Sequence, residues 1–187
     1  MSYSYLVRRK VLQLFGASFH IYDCHHNLIG FSRQKAFKLK EDIRVYRDAS
    51  QQQQLLLIQS RNIIDFSAAY DVVDSSTGTV LGTWQRKGFS SMVRDNWVLL
   101  DANQQQMAAM QEDSLLLSLT RRFLAGACLP QSYHLITPDG GTSAELRQRF
   151  NPFIFKMEVR IAPGLQIDPR LILAGAILLA AIEGRQQ

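Results

Sequence analysis

The sequence predicts a mainly β fold in which an antiparallel barrel encloses an apolar C-terminal helix. Three observations lead to this prediction. A run of twelve residues without a polar side chain, LILAGAILLAAI at 171–182, lies near the end of the chain. Several upstream segments alternate apolar and polar residues with the period of a β-strand. Turn-forming residues recur between these segments, as they do in sandwiches and barrels.

The clearest predicted strands fall at residues 37–46 and 152–161. In both, large apolar side chains alternate with charged ones, so we expect one face of each strand to lie against a core and the other to face water. Residues 66–72 give a third alternation of this kind. Residues 55–58, 80–85 and 97–100 are shorter candidates.

Polar turns that begin with Asp separate several of these strands. The segments 23–27 and 74–78 share a pattern: an apolar pair, an Asp, a polar turn, a second apolar pair and a Gly. Asp favours turns because its side chain bonds nearby backbone amides, and Gly favours them because it adopts positive φ. The pattern predicts repeated hairpins, with further turns at 101–103 and 138–141.

The C-terminal helix is predicted at 168–183, with Asp168 as N-cap, Pro169 in the first turn and Gly184 at the stop. Its twelve apolar residues rise about 18 Å, against about 30 Å of bilayer hydrocarbon, so we expect no transmembrane segment. A helix without a polar face is buried on every side, which places it at the centre of a single domain, 1–187. A shorter helix is predicted from Asp113 or Ser114 to Gly126, with a stripe of Leu115, Leu116, Leu119 and Phe123.

The net charge and the cysteine content restrict the cell compartment and the partners that we expect. The net charge of +5 favours anionic partners such as lipid headgroups or nucleic acid. Cys24 and Cys128 lie far apart in no motif, which argues against a disulfide scaffold. The N-terminal MSYSYLVRRK lacks the apolar core of a signal peptide. We therefore expect a cytoplasmic protein, with peripheral attachment to a membrane as an option.

Motifs of enzymes are absent from the sequence. It contains no nucleophile elbow, phosphate loop, dinucleotide fingerprint or Cys-x-x-Cys pair, so no catalytic residue and no cofactor is expected. Cys24, His25 and His26 form the only local group of metal-ligand residue types. No further close Cys or His completes a tetrahedral set, so this segment is interpreted as a polar hairpin turn rather than a metal site.

Several short stretches of the sequence together carry a family resemblance: 41–46, 70–74 with Gly78 and Leu81-Gly82, 94–97 with Leu99, and 167–170. In these stretches and their order the chain resembles the LURP-one-related proteins of plants and bacteria, which belong with tubby proteins and phospholipid scramblases to the tubby C-terminal-like families. The resemblance covers about residues 5–183. It implies a tubby-like closed antiparallel barrel of about twelve strands around the C-terminal helix.

Five basic residues are candidates for gripping lipid phosphate groups, since clustered cations attract anionic headgroups. Lys38 and Lys40 lie on one face of a predicted strand, Arg86 and Lys87 follow another, and Arg94 lies in the next hairpin. The alternative is a solvated outer barrel face balanced by Glu41, Asp42 and Asp95.

The resemblance suggests lipid binding without transferring a site. Tubby domains bind phosphoinositides through basic side chains on the barrel exterior, but no tubby lipid-binding motif matches this sequence. The acidic calcium-binding stretch of scramblases also lacks a counterpart, because residues 160–166 contain no carboxylate. We therefore expect a non-enzymatic binding module that recognises anionic phospholipid headgroups or a protein partner at the membrane surface.

Two other functions stay open at the level of sequence. One is a structural or stress-linked protein-interaction domain without a ligand. The other is a scramblase-like lipid protein without calcium dependence. Nucleic acid ranks below lipid as an anionic partner, because the chain has no helix-turn-helix, zinc finger or RNA-binding aromatic motif.

Overall fold

A computed structural model describes residues 4–10, 17–34, 42–61, 68–86, 97–112, 131–149, 151 and 154–183. Within these ranges twelve antiparallel strands form a closed barrel, and the helix α1 covers Pro169–Glu183. The strands are β1 Ser4–Lys10, β2 Ala17–Tyr22, β3 Leu28–Gln34, β4 Ile43–Tyr46, β5 Gln54–Ser60, β6 Ala69–Asp74, β7 Val80–Arg86, β8 Trp97–Leu100, β9 Gln106–Glu112, β10 Ser132–Ile136, β11 Thr142–Arg149 and β12 Ile154–Ile161.

The barrel is a meander that closes on itself. Each strand pairs with its neighbours along the chain, and β1 pairs with β12 in the register Ser4 to Arg160 through Lys10 to Ile154. This closure removes exposed strand edges from the sheet. The closed barrel of twelve strands that the resemblance implied is therefore confirmed.

Each segment predicted as a strand overlaps an observed one. Residues 152–161 correspond to β12, 66–72 to β6 and 37–46 to β4, which begins at Ile43 after Asp42. The parts of these predictions at 37–41, 66–67 and 152–153 lie outside the described residues, as do the predicted helix from Asp113 or Ser114 to Gly126 and the stop at Gly184.

Asp-initiated turns join the strands at the barrel end where α1 begins. In five of these turns an Asp carboxylate accepts a hydrogen bond from the backbone amide two residues further on, at 2.8 to 3.3 Å. Such a bond fixes a turn locally, before any tertiary contact forms. The two turns that the sequence predicted, at Asp23 and Asp74, are thus confirmed, and the same Asp-to-amide hydrogen bond recurs at Asp48, Asp101 and Asp139.

The helix α1 crosses the interior of the barrel, and every residue from Leu171 to Ala181 is buried. Trp84 on β7 donates a hydrogen bond from Nε1 to the carbonyl of Leu171 at 2.8 Å. Arg9 on β1 donates from Nη1 to the carbonyl of Ala180 at 3.4 Å. Because β1 and β7 are six places apart in the ring of twelve strands, these contacts join α1 to opposite walls.

The predicted capping of α1 is confirmed at its N-terminus. Asp168 Oδ1 accepts a hydrogen bond from the amide of Arg170 at 2.9 Å, which satisfies one donor of the first turn. At the other end, the guanidinium of Arg9 lies where the helix dipole is negative, a favourable place for a cation. Among the described residues no helix is long and apolar enough to cross a bilayer.

Candidate anion-binding surface

The structure places one of the five predicted headgroup residues. Arg86 ends β7, half-buried, and its backbone amide donates to the carbonyl of Ala68 at 2.8 Å. Lys38, Lys40, Lys87 and Arg94 lie outside the described residues. Whether the five residues come together therefore stays a prediction.

A different set of cations and aromatic residues lies side by side on the outer wall of the barrel. Six residues on six adjacent strands are direct register partners, each facing the next. Their sequence neighbours Val7, Ile21 and Met157 are buried in the core, so alternation along the strands directs these side chains away from it. Phe31 is nevertheless covered by its surroundings and only 2% exposed, so the accessible members are the other five. We call this set the cationic row: Arg149, Lys156, Arg8, His20, Phe31 and Tyr46.

Aromatic rings position the cations at the centre of this surface. The Cζ atom of Arg8 lies 5.7 Å from the centroid of the Tyr22 ring, and that of Arg33 lies 5.9 Å from the Phe31 ring. The His20 ring meets the Phe31 ring edge-on, with centroids 5.2 Å apart. Cation–π contacts of this length hold a guanidinium in place without neutralising its charge.

Three cations of this surface keep their charge uncompensated. In the part of the chain that the structure describes, Arg8, Arg33 and Lys156 form no ion pair with a carboxylate. Lys156 also lies directly opposite two other cations, Arg8 on β1 and Arg149 on β11. Like charges directly opposite each other across strands destabilise a sheet, and a bound anion would relieve the repulsion.

Carboxylates next to the row neutralise only part of its charge. Glu158 Oε2 accepts a hydrogen bond from Arg149 Nη2 at 3.0 Å, and Glu145 Oε2 lies 3.7 Å from Arg160 Nη1. The hydrogen bond from Arg149 lowers the pKa of Glu158, so this carboxylate is ionised at neutral pH. The described outer faces of β11, β12 and β1 thus carry five cations against two carboxylates: Arg8, Arg147, Arg149, Lys156 and Arg160 against Glu145 and Glu158.

Sequence reasoning missed this surface because its members lie far apart along the chain. Each strand by itself shows only an ordinary charged outer face. The only relevant feature that the sequence showed was the alternation in residues 152–161, which predicts that Lys156 faces outward. The neighbours of Lys156 depend on the pairing register of β12 with β1 and β11. That register could not be predicted from the sequence.

The Cys24, His25 and His26 segment lies in the β2–β3 turn. The Asp23 carboxylate accepts hydrogen bonds from the amides of His25 and Asn27, at 2.9 and 2.8 Å, and so closes the turn. Among the residues described, no group of three or more His, Cys, Asp or Glu side chains could hold a metal ion.

At the barrel end where α1 begins, an ion-pair network ties the helix to the β6–β7 turn. Arg170 Nη1 lies 2.6 Å from Asp74 Oδ2, and Nη2 lies 2.7 Å from Asp168 Oδ2. Hydrogen bonds lower the pKa of Asp74 to about 2. The hydrogen bond from the Ser76 side chain has the largest effect, and the one from Arg170 has the next largest. This cluster therefore fixes the entry of α1 into the barrel.

We expect the ion-pair network to make stability depend on pH in acid. Because the folded-state pKa of Asp74 lies below its unfolded value, its contribution is complete above about pH 4 and is lost as the pH falls towards about 2. Thermal melts of wild type and Asp74→Asn should therefore differ at pH 6, and the difference should shrink between pH 4 and pH 2. A difference that stays constant down to pH 2 would contradict this role.

Comparisons with known proteins place the chain in a family. A crystal structure of an Arabidopsis thaliana protein superposes with a TM-score of 0.53 and 13% identity, covering 96% of this chain and 92% of that one, so it supports the fold alone. None of the curated proteins compared with the chain matches it. The sequence profile of the LURP-one-related family matches residues 4–180, nearly the whole chain. The chain therefore belongs to the LURP-one-related family.

Proposed function

We propose that this protein is a non-enzymatic binding module that docks peripherally on anionic phospholipid headgroups through the cationic row. The observation that supports the proposal is a group of cations without an ion pair among the described residues: Arg8 and Lys156 in the row and Arg33 beside it. Arg8 and Arg33 also lie against aromatic rings on the outer wall. A surface of this kind costs stability in isolation, and it complements a negatively charged membrane surface.

The size of the row fits an array of headgroups. Neighbouring strands lie about 4.8 Å apart, so Arg149, Lys156 and Arg8 span about 10 Å along the barrel wall. Each cation near an anionic surface contributes about 1 kcal/mol. A few cations together support weak, reversible attachment. Tyr22 and Tyr46 add rings of the type that favours the membrane interface.

Membrane insertion is not part of the proposal. The apolar residues of α1 are enclosed by the barrel, where they have no access to lipid tails. We propose that the protein lies in the cytoplasm, because the cytoplasmic leaflet of the membrane carries anionic lipids that attract basic surfaces. The tubby-like and scramblase-like resemblance supports a lipid ligand in general terms. Of the residues predicted from the sequence, Arg86 ends β7, three strands away from the nearest strand of the row, so it is not part of this surface. Lys38, Lys40, Lys87 and Arg94 stay candidates for the same headgroups.

Liposome flotation tests the proposal. We expect the protein to float with vesicles of phosphatidylcholine and phosphatidylserine at low salt, and to remain unbound with pure phosphatidylcholine. Binding should weaken as salt shortens the screening length to about 8 Å at physiological ionic strength. The double variant Arg8→Gln, Lys156→Gln should bind at least about tenfold more weakly, because two cations contribute about 2 kcal/mol.

A matched control separates this surface from net charge. Gln106→Glu with Gln111→Glu lowers the net charge by the same amount at exposed positions of β9, which does not carry the row. This control should bind nearly as well as wild type. If both double variants bind the vesicles equally weakly, net charge rather than this surface determines the binding. Failure of the wild type to bind anionic vesicles at low salt would overturn the proposal and leave a protein partner as the better hypothesis.

A further inference from the structure

Glu158 lies beside the cationic row and holds one of its members. It follows Lys156 by two residues on β12 and therefore projects from the same outer face. Its Oε2 atom accepts a hydrogen bond from Arg149 Nη2 at 3.0 Å and lies 3.8 Å from Arg160 Nη2. Arg147 is its direct register partner on β11. One carboxylate thus serves several cations.

Arg149 is in the row by its backbone position, but its guanidinium is engaged elsewhere. The backbone of Arg149 faces that of Lys156, whereas its side chain bonds Glu158. A phosphate placed over Lys156 and Arg8 would attract the same guanidinium. Because Arg149 and Glu158 are both partly exposed, exchanging one oxygen ligand for another requires only side-chain rotation.

We infer that Glu158 is an internal counter-ion that regulates the proposed lipid site. It holds Arg149 in the unbound protein and releases it when an anionic headgroup competes successfully. This inference rests on the proposed function, since it assumes that the row binds anionic lipid. As a consequence, the protein should bind weakly to membranes that contain few anionic lipids, because the first headgroup must displace a carboxylate to engage Arg149.

Neutralising Glu158 tests the inference. We expect Glu158→Gln to bind vesicles of phosphatidylcholine and phosphatidylserine about fivefold more tightly than wild type, the change that corresponds to one further cation of about 1 kcal/mol. The matched control is Glu145→Gln, which raises the net charge equally on the same face. Glu145 lies against Arg160 rather than forming the hydrogen bond to Arg149, so this control should tighten binding less.

Arg149→Gln completes a double-mutant cycle. In wild type this substitution should lower the affinity less than it does in the Glu158→Gln background, because a headgroup must first displace Glu158 from the guanidinium. In the Glu158→Gln background it should remove the whole gain. Glu158→Asp serves as a second test if Glu158→Gln lowers the melting temperature. It keeps the charge but shortens the side chain by one methylene, so it should weaken the hold on Arg149 and tighten binding at unchanged net charge.

The outcomes separate this inference from the proposed function. If wild type binds and Glu158→Gln gains no more than Glu145→Gln, the counter-ion role is wrong and the lipid site stands. Additive effects of Arg149→Gln and Glu158→Gln would have the same meaning. If neither wild type nor Glu158→Gln binds anionic vesicles at low salt, the proposed function itself fails.

Discussion

The Leu178→Asp variant is expected not to fold. Leu178 is in the middle of the apolar helix α1 and is 2% exposed. An ionised carboxylate there would lose its hydration without gaining a partner, and a neutral one would still bury unsatisfied polar atoms. Loss of the packed leucine adds about 2–5 kcal/mol, as in Leu to Ala changes. The total is comparable to the whole stability of a domain, about 5–15 kcal/mol.

Soluble yield, near-ultraviolet circular dichroism and thermal melts measure this effect. Leu178→Met is the matched control, because it keeps the volume and the apolar character and should cost less than about 1.5 kcal/mol. A soluble Leu178→Asp protein with the melting temperature of wild type would show that α1 does not fill the barrel in solution.

The Gly175→Ala variant is expected to be strongly destabilised even though Ala is the better helix former. A Cβ atom at this position would lie 2.7 Å from Cζ2 and 2.9 Å from Cε2 of Trp84. The indole ring cannot withdraw easily, because it is fully buried and its Nε1 donates to Leu171 at 2.8 Å. The gain in helix propensity is about 1 kcal/mol. Overpacking costs about 1–3 kcal/mol, and a lost buried hydrogen bond about 1–3 more.

A double-mutant cycle identifies Trp84 as the cause. Trp84→Phe removes the part of the ring that a Cβ at 175 would meet, at the cost of a cavity and a hydrogen bond. In that background Gly175→Ala should cost much less, because the remaining close neighbour of the new Cβ is Met110 Cε at 3.3 Å, the flexible end of a side chain that can shift. Chemical denaturation of the four proteins gives the coupling free energy. Equal costs of Gly175→Ala in both backgrounds would contradict a clash with Trp84.

The strands that could be predicted from the sequence were those in which apolar and polar residues alternate most clearly. Residues 152–161 alternate large apolar and charged side chains, and β12 lies there. The sequences of β9, QMAAMQE, and β11, TSAELRQR, contain few large apolar residues and no regular alternation with charged ones, so they were not predicted as strands. These strands form because paired neighbours supply their backbone hydrogen bonds and because Ala108, Met110 and Leu146 pack on the core.

Features with local causes could be predicted from the amino-acid sequence. A helix without a polar face has to be buried, wherever its neighbours come from, so the run at 171–182 specified the centre of the fold. An Asp that bonds the amide two residues ahead closes its turn within five residues, so the hairpins at Asp23 and Asp74 could be predicted.

The arrangement of side chains on the outer wall follows from the strand pairing and could not be predicted from the sequence. Arg8 and Lys156 are close because β1 closes the barrel against β12, and Phe31 joins them through the pairing of β2 with β3. The pairing register fixes which charges are neighbours, and a shift of one residue would exchange the outer and inner faces of a strand. The sequence pattern of a single strand states which residues face outward. It does not show which cations lie beside them, because that depends on the pairing register of several strands and on the closure of β1 against β12.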